Sequence, residues 1–233
     1  MNEQADVTLP YSLDAGDSRR FINAHLHVLH LDNGTLCLHA VALYRDDHGA
    51  VLLLGGHGAG KTLVAVAMLM RGWQLLAGDI ALLDVEDVAL RGGTSAFVVR
   101  LGPAHRWFPH LGLPQVVPEE VDLGHRWPAL RMAPVQLIAA VSVHVAETGI
   151  PPRKIDSHTA QTLWLRASGH LLDRILDDPD IVLRLLENGS AARRRVALIR
   201  TLAARLVIHA AVGPPAQIAE QVERLVMRTG AQS

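Results

Sequence analysis

The sequence predicts a mixed α/β (α+β) fold: a mixed or largely antiparallel sheet followed by a helical C-terminal part. Three observations lead there. Short apolar runs bounded by turn residues fill the chain from about residue 20 to 147, as strands of a sheet do. Residues 157–233 carry longer runs with few breakers, which read as helices. Between an apolar strand and an apolar helix lies a glycine-rich segment, Leu52–Thr62, reading LLLGGHGAGKT. A length of 233 residues suits one domain, 1–233, with a sheet-rich core at 20–147 and a mainly helical portion at 157–233.

The elements follow in order. Residues 1–20 are polar and read as irregular, at least at the start. Phe21–Leu31 (FINAHLHVLHL) and Thr35–Leu43 (TLCLHAVAL) look β-like, and Asp32-Asn33-Gly34 between them is a hairpin signal, because Asn and Gly tolerate positive φ. Arg45–Gly49 is a second turn, and Ala50–Leu54 a short, fully apolar strand. After a loop at Gly55–Gly60, Lys61–Met70 reads as a buried helix closed by Arg71-Gly72. Trp73–Ala77 is a strand; Ile80–Val85 and Val88–Leu90 make a hairpin around Glu86-Asp87. Residues 100–131 are rich in Pro, His and Arg and read as loops. Pro134–Val145 is a strand, and Glu147–Asp156 a connection. Helices are expected at Thr159–Ala167, His170–Leu186 (broken at Pro179) and Ala191–Val207. A short strand follows at Val207–Val212, then a helix at Ala216–Met227 behind Pro214-Pro215.

Composition excludes several classes of function. The formal net charge is −1, so no global positive field draws the chain to nucleic acid or an anionic membrane. No apolar run approaches the ~20 residues that span a bilayer. The N-terminus lacks the basic and apolar regions of a signal peptide. A single cysteine, Cys37, fits a reducing compartment. The expectation is a cytoplasmic protein that contacts neither nucleic acid nor membrane.

The chain has only two lysines, and one stands at position 61 between a glycine and a threonine. The segment Gly55, Gly56, His57, Gly58, Ala59, Gly60, Lys61, Thr62 fits G-x-x-x-x-G-K-[ST], the Walker A pattern of a P-loop. Backbone N–H groups of such a loop converge on phosphate oxygens. The helix behind it adds the partial positive charge of its N-terminus. Lys61 would reach the β/γ-phosphates, and the Thr62 hydroxyl would ligate Mg²⁺. His57 occupies a variable position of the loop and is expected to face solvent. A second metal-site residue is expected at the end of a nearby strand, and Asp79 follows WQLLAG directly.

These residues resemble a family. The run from His39 to Leu83, containing the loop, Arg71-Gly72 and Gly78-Asp79, is similar to the HPr kinase/phosphorylase-like proteins, relatives of phosphoenolpyruvate carboxykinases. Residues 36–85 carry the resemblance. Short members, such as the lasso-peptide-associated kinases, look most similar. The resemblance implies a Mg²⁺-dependent kinase moving the γ-phosphate of ATP or GTP to a hydroxyl, often the serine of a peptide or small protein, or to a hydroxyl of a small molecule. It implies catalytic roles for His39, Lys61 and Asp79, a metal site at Thr62 and Asp79, and a homo-oligomer, since relatives are often oligomers. The family carries two adjacent aspartates after the strand. Asp79 matches the second; the first, associated with activating the acceptor hydroxyl, is Gly78 here. His39 is the candidate substitute, its imidazole being suited to proton transfer near neutral pH. Two alternatives stand beside the kinase: a non-catalytic nucleotide-binding accessory module, which Gly78 favours, and a simple NTPase.

Other features carry less. His25 and His27 would share one face of a strand with His30 on the other, a surface or edge role. Cys37 reads as a buried strand residue. Arg100, His105 and Arg106 could meet transferring phosphate, but read first as surface groups. Pro151–Lys154 reads as a solvated linker, and Arg193-Arg194-Arg195 as a solvated helix surface.

Overall fold

A computed structural model of the chain describes residues 8–9, 13–114, 119–130, 134–178 and 180–230. Within them the chain is a mixed α/β protein with six α-helices and one nine-stranded sheet. The first element is a helix, α1 (Ala15–Asp32), where the sequence reading expected a strand and a hairpin. Its buried residues Asp17, Phe21, Ala24, His27 and Leu31 recur every three or four positions, so the apolar pattern follows the helical period. Asp14 caps its start, accepting from the Asp17 N–H at 2.7 Å, a cap of the kind worth ~1 kcal/mol. Asn33-Gly34 ends the helix instead of turning a hairpin: Gly34 takes φ 71°, and the Asn33 and Gly34 amides donate to carbonyls of the last turn. The same tolerance of positive φ serves both structures. His27 is therefore buried, apart from His25 and His30. Burial first, then Arg195, drives its pKa down to about 4, and neither ring nitrogen has a hydrogen-bond partner among the described residues.

The expected strand at 35–43 is two strands, β1 (Thr35–His39) and β2 (Val41–Arg45), which part at Ala40. β1 pairs with β5 (Ile80–Asp84), while β2 pairs with β3 (Gly49–Leu54) and β4 (Gln74–Ala77). Cys37 is buried in β1, and burial pushes its thiol up to about 12. β6 (Ala89–Gly93) returns beside β5. β7 (Val98–Arg100) leads into α3 (Leu101–Trp107), and β8 (Glu120–Asp122) pairs with β7, so the segment read as loops holds a short helix and a two-stranded ribbon. β9 (Val135–Val145) is the hub of the main sheet: it runs antiparallel to β6 and parallel to both β3 and β11 (Ile208–Gly213). β10 (Ile150–Lys154), expected to be a linker, is an edge strand paired with β11. Its prolines fall where the register shifts, so no ladder bond needs their missing N–H.

Helices cover both faces of the sheet. α2 (Lys61–Leu69) and α6 (Pro215–Gly230) pack on the face that carries Val51, Leu53, Val141 and Val143. α4 (Ser157–Gly169) and α5 (Gly189–Arg205) lie on the other, with Leu36, Leu38, Leu52 and Leu54. β3 is thus buried on both sides, which explains its unbroken apolar run. α1 sits at the edge of the second layer, against β1 and α5.

The expected helix at 170–186 does not form. α4 stops at Gly169, turns follow, and a 3₁₀ turn spans Leu183–Leu186; Pro179 lies outside the described residues. Aspartates take the backbone amides a helix would use: Asp17 accepts from the Asp177 N–H and Asp178 from that of Asp180. Leu172, Leu176 and Leu183 pack instead against Phe21 and Ala24 of α1. Arg195, read as solvated, is buried. It donates to both carboxylate oxygens of Glu187, at 2.6 and 2.9 Å, and this pairing lets a guanidinium lie inside. Among the described residues, no helix is long and apolar enough to cross a membrane.

Candidate phosphate-binding site

The loop between β3 and α2 is shaped by three glycines. Gly55, Gly58 and Gly60 take φ of 150°, 76° and 91°, a region that side-chain-bearing residues avoid. Gly60 has a second reason to lack a side chain: a Cβ there would lie 2.3 Å from Cγ2 of Val145. The end of β9 grips the loop at this point, since the Val145 N–H donates to the Ala59 carbonyl at 2.9 Å. α2 then begins with no side-chain cap and no acidic residue in its first turn. Its leading end therefore presents backbone N–H groups and the positive pole of the helix, with no carboxylate of that turn competing for them.

Lys61 folds back over this loop. Its Nζ donates to the carbonyls of Gly55 and Gly56 at 3.0 and 3.3 Å, and only 7% of the residue is exposed. Burial pushes its pKa down to about 8, against the opposing charge of Asp79. The groups that hydrogen-bond this ammonium are neutral carbonyls, and the charge of Asp79 offsets its burial only in part; an arriving polyphosphate would supply a counter-charge in direct contact. A pH dependence follows. At pH 8 about half of Lys61 is uncharged, so binding an anion should draw in about half a proton, and almost none at pH 6.5. Affinity should fall as pH rises through about 8. For the unliganded protein the sign is the reverse. Between about 8 and 10.5 the unfolded chain holds the Lys61 proton and the folded chain releases it, so stability gains with pH across that window. Calorimetric titration with a nucleotide in two buffers of different ionisation heat measures the uptake directly.

Thr62, in the first turn of α2, is half-buried, and His57 is exposed at the tip of the loop. His57 has a neighbour that the sequence reading did not connect with it: Arg100, at the end of β7, donates to His57 Nε2 at 2.5 Å and pairs with Glu120. His105 and Arg106 are engaged elsewhere, with the Pro114 carbonyl and with Glu147.

Asp79 lies where β4 bends into β5. Its backbone is fixed from two sides: the amides of Asp79 and Ile80 both donate to Thr94 Oγ1, and the Asp79 carbonyl accepts from the Ala40 N–H at 2.9 Å. Its side chain is 50% exposed. The β1–β5 register sets His39 opposite Ile80, which brings His39 Nε2 to 3.4 Å from Asp79 Oδ1. The His39 side chain first, and the charges of His170 and Arg174 after it, hold the Asp79 carboxyl below the usual carboxylate range, against the partial loss of water around it. Asp79 is therefore an ionised oxygen donor at neutral pH.

Gly78 has no room for a side chain. A Cβ there would stand 2.0 Å from the Ala96 carbonyl oxygen and 3.1 Å from Cα of Phe97. The main chain at 94–97 crosses directly over it, with the Gly78 N–H bonded to the Thr94 carbonyl at 2.9 Å.

Two residues near the site gave no sign in the sequence. His170 stacks on His39, ring centroids 3.8 Å apart and planes 18° from parallel. Burial, with His39 and Arg174 adding to it, takes its pKa down to about 4, so His170 is neutral at pH 7. Arg174 is exposed, and its charge is felt at both His170 and Asp79. Both belong to the segment that reads as a helix, and only the tertiary fold carries them to β1.

Among the described residues, no group of three or more His, Cys, Asp or Glu side chains is arranged to hold a metal ion. Mg²⁺ bound with a nucleotide asks for less: one or two protein oxygens, with phosphates and water completing its shell. Thr62 and the ionised Asp79 fit that requirement. The charge of Asp79 acts on Lys61, the chain neighbour of Thr62.

No family model matches the chain, and no curated protein does. Among solved structures it is similar to the Hpr(Ser) kinase/phosphatase from Coxiella burnetii, at 14% identity over 84% of this chain and 93% of that one, with a TM-score of 0.36.

Proposed function

We propose that this chain is a P-loop phosphotransferase that binds ATP or GTP with Mg²⁺ and moves the γ-phosphate to a hydroxyl. The acceptor is the serine of a peptide or small protein, or a small molecule. One observation carries the reading: a buried lysine folded over a glycine loop at the uncapped start of a helix, with the His39–Asp79 pair close by. In this reading the loop amides and Lys61 hold the phosphates. Thr62 and Asp79 would hold Mg²⁺, which would supply positive charge against the phosphates. The acceptor oxygen forms a bond to phosphorus as the bond to the leaving nucleoside diphosphate breaks, and the hydroxyl proton passes to the His39–Asp79 pair. Such a transfer depends on positioning and charge neutralisation more than on a strong base, so the glycine at 78 does not forbid it.

A second reading is a non-catalytic nucleotide-binding module. The crowding at Gly78 favours it, because the carboxylate that would activate an acceptor has no space there. Melting temperature with ATP, GTP and pyrophosphate, with and without Mg²⁺, tests binding; release of nucleoside diphosphate with candidate acceptors tests transfer. Binding without turnover supports the module, acceptor-independent turnover supports an NTPase, and no thermal shift with any of the three ligands removes the site. His39→Ala should leave the nucleotide-induced shift intact and slow transfer by about 10²-fold, the scale of a lost acid–base group. Equal rates in variant and wild type would take His39 out of the reaction.

A further inference from the structure

We infer that His170 is a positioning residue, whose ring, stacked flat on His39, fixes that imidazole against Asp79 beside the phosphate loop. The inference rests on the phosphotransferase reading for its consequence, and on geometry for its substance. His39 ends a strand, and among the described residues its Nε2 has one polar contact, with Asp79 at 3.4 Å, longer than a good hydrogen bond. Only 11% of the side chain is exposed, so its neighbours confine it, but one long contact does not by itself set the plane of the ring. The second constraint is the plane of His170, 3.8 Å away and within 18° of parallel.

His170 is costly to keep there for stability alone. Its Nε2 is fully enclosed and has no hydrogen-bond partner among the described residues, an arrangement that disfavours the folded state. The surroundings nonetheless hold it firmly. α4 ends one residue before it, and Leu172 and Leu176, just after it, are clamped under Phe21 of α1. Asp17 of α1 accepts from the Asp177 amide at 2.7 Å, and Asp173 pairs with Arg184. A turn without regular structure is thus pinned from three directions. His170 touches His39 and acts through it, so its part is to orient the group and not to exchange a proton.

Two variants and two readouts test this. His170→Ala should lower kcat by about 10- to 100-fold, the cost of a misplaced catalytic group, with the KM for nucleotide unchanged. His170→Phe, which keeps a flat ring and has no nitrogen, should recover kcat to within about threefold of wild type, as a positioning role requires. Histidine side-chain NMR, with the His39 signals identified through His39→Gln, reads the stack without any turnover. The His39 ring signals should shift in His170→Ala as the neighbouring ring current is lost, and stay near wild type in His170→Phe. Failure of His170→Phe to recover kcat would overturn the inference, because an imidazole nitrogen would then be required. So would an unchanged kcat in His170→Ala, or a loss shared equally by kcat, nucleotide binding and melting temperature. If wild type transfers no phosphate to any acceptor, the phosphotransferase reading fails while NMR still decides the stack: His39 signals unmoved in His170→Ala would overturn it.

Discussion

Gly78→Asp, which would set two aspartates side by side at 78 and 79, should melt below wild type and accelerate nothing. The obstacle is backbone. The Ala96 carbonyl oxygen lies 2.0 Å from where Cβ would be, and Thr94 binds the Gly78 amide from the same stretch. A flexible side chain could turn aside; a carbonyl within a bonded crossing cannot. The neighbouring strand has the same constraint, since a Cβ on Gly93 would lie 2.0 Å from the Ile80 carbonyl oxygen. Overpacking usually costs about 1–3 kcal/mol, and an unyielding backbone puts this case at the upper end or beyond. For a chain of this size ~3 kcal/mol corresponds to roughly 6–12 °C of melting temperature. Gly78→Ala is the control, with the same first atom and no charge, and it should lose most of the same stability. Thermal melts of both variants, with a transfer assay at a temperature where each is folded, check the expectation. A Gly78→Asp protein as stable as wild type and faster in transfer would show that the crossing yields.

Lys61→Ala should abolish the nucleotide-induced thermal shift and leave the unliganded melting temperature close to wild type. The two effects separate because Lys61 does different things in the two states. Without a ligand its ammonium is buried against two carbonyls, a poor exchange for water, as its lowered pKa records. With a polyphosphate it would meet full negative charge in the same enclosed place. A hydrogen bond between charged groups is worth about 1.5–3 kcal/mol, so affinity should drop by roughly 10- to 100-fold or more. Lys61→Arg should not rescue it, because a planar fork does not fit where a compact ammonium reaches two carbonyls of one tight loop. Titration of nucleotide by calorimetry or thermal shift checks both variants. An undiminished shift in Lys61→Ala would take the lysine out of the site and most of the functional reading with it.

Much of this was legible in the chain because the signals are local. The strand, glycine loop and helix at 49–69 declare themselves through an apolar run, glycines and an apolar run again. Asp79 follows its strand directly, and the β1–β5 pairing makes it a neighbour of His39. The failures have physical reasons of two kinds. FINAHLHVLHL is apolar often enough to fit both a period of two and a period of 3.6, and Asn-Gly ends helices as well as turning hairpins, so local chemistry alone did not decide α1. His170, Arg174 and the turn that carries them depend on contacts with α1 and β1 far away in the chain. Nothing in HLLDRILDDPD announces that its aspartates will bind amides in place of a helical ladder. Arg195 pairs with Glu187, just ahead of its own helix, but it is packing against α4, where it meets the Leu165 carbonyl and Ser168 Oγ, that buries the pair, and the sequence alone does not announce that contact.

The placement of α1 divides the molecule into two regions that can fail separately. Unseating that helix would uncover Leu172, Leu176 and Leu183 together and leave the turn bearing His170 without backing. The glycine loop and α2, seated on the opposite face of the sheet and gripped by β9, would keep their support. Damage at the amino end of the chain should therefore spare the grip on a phosphate while loosening the ring that steadies His39.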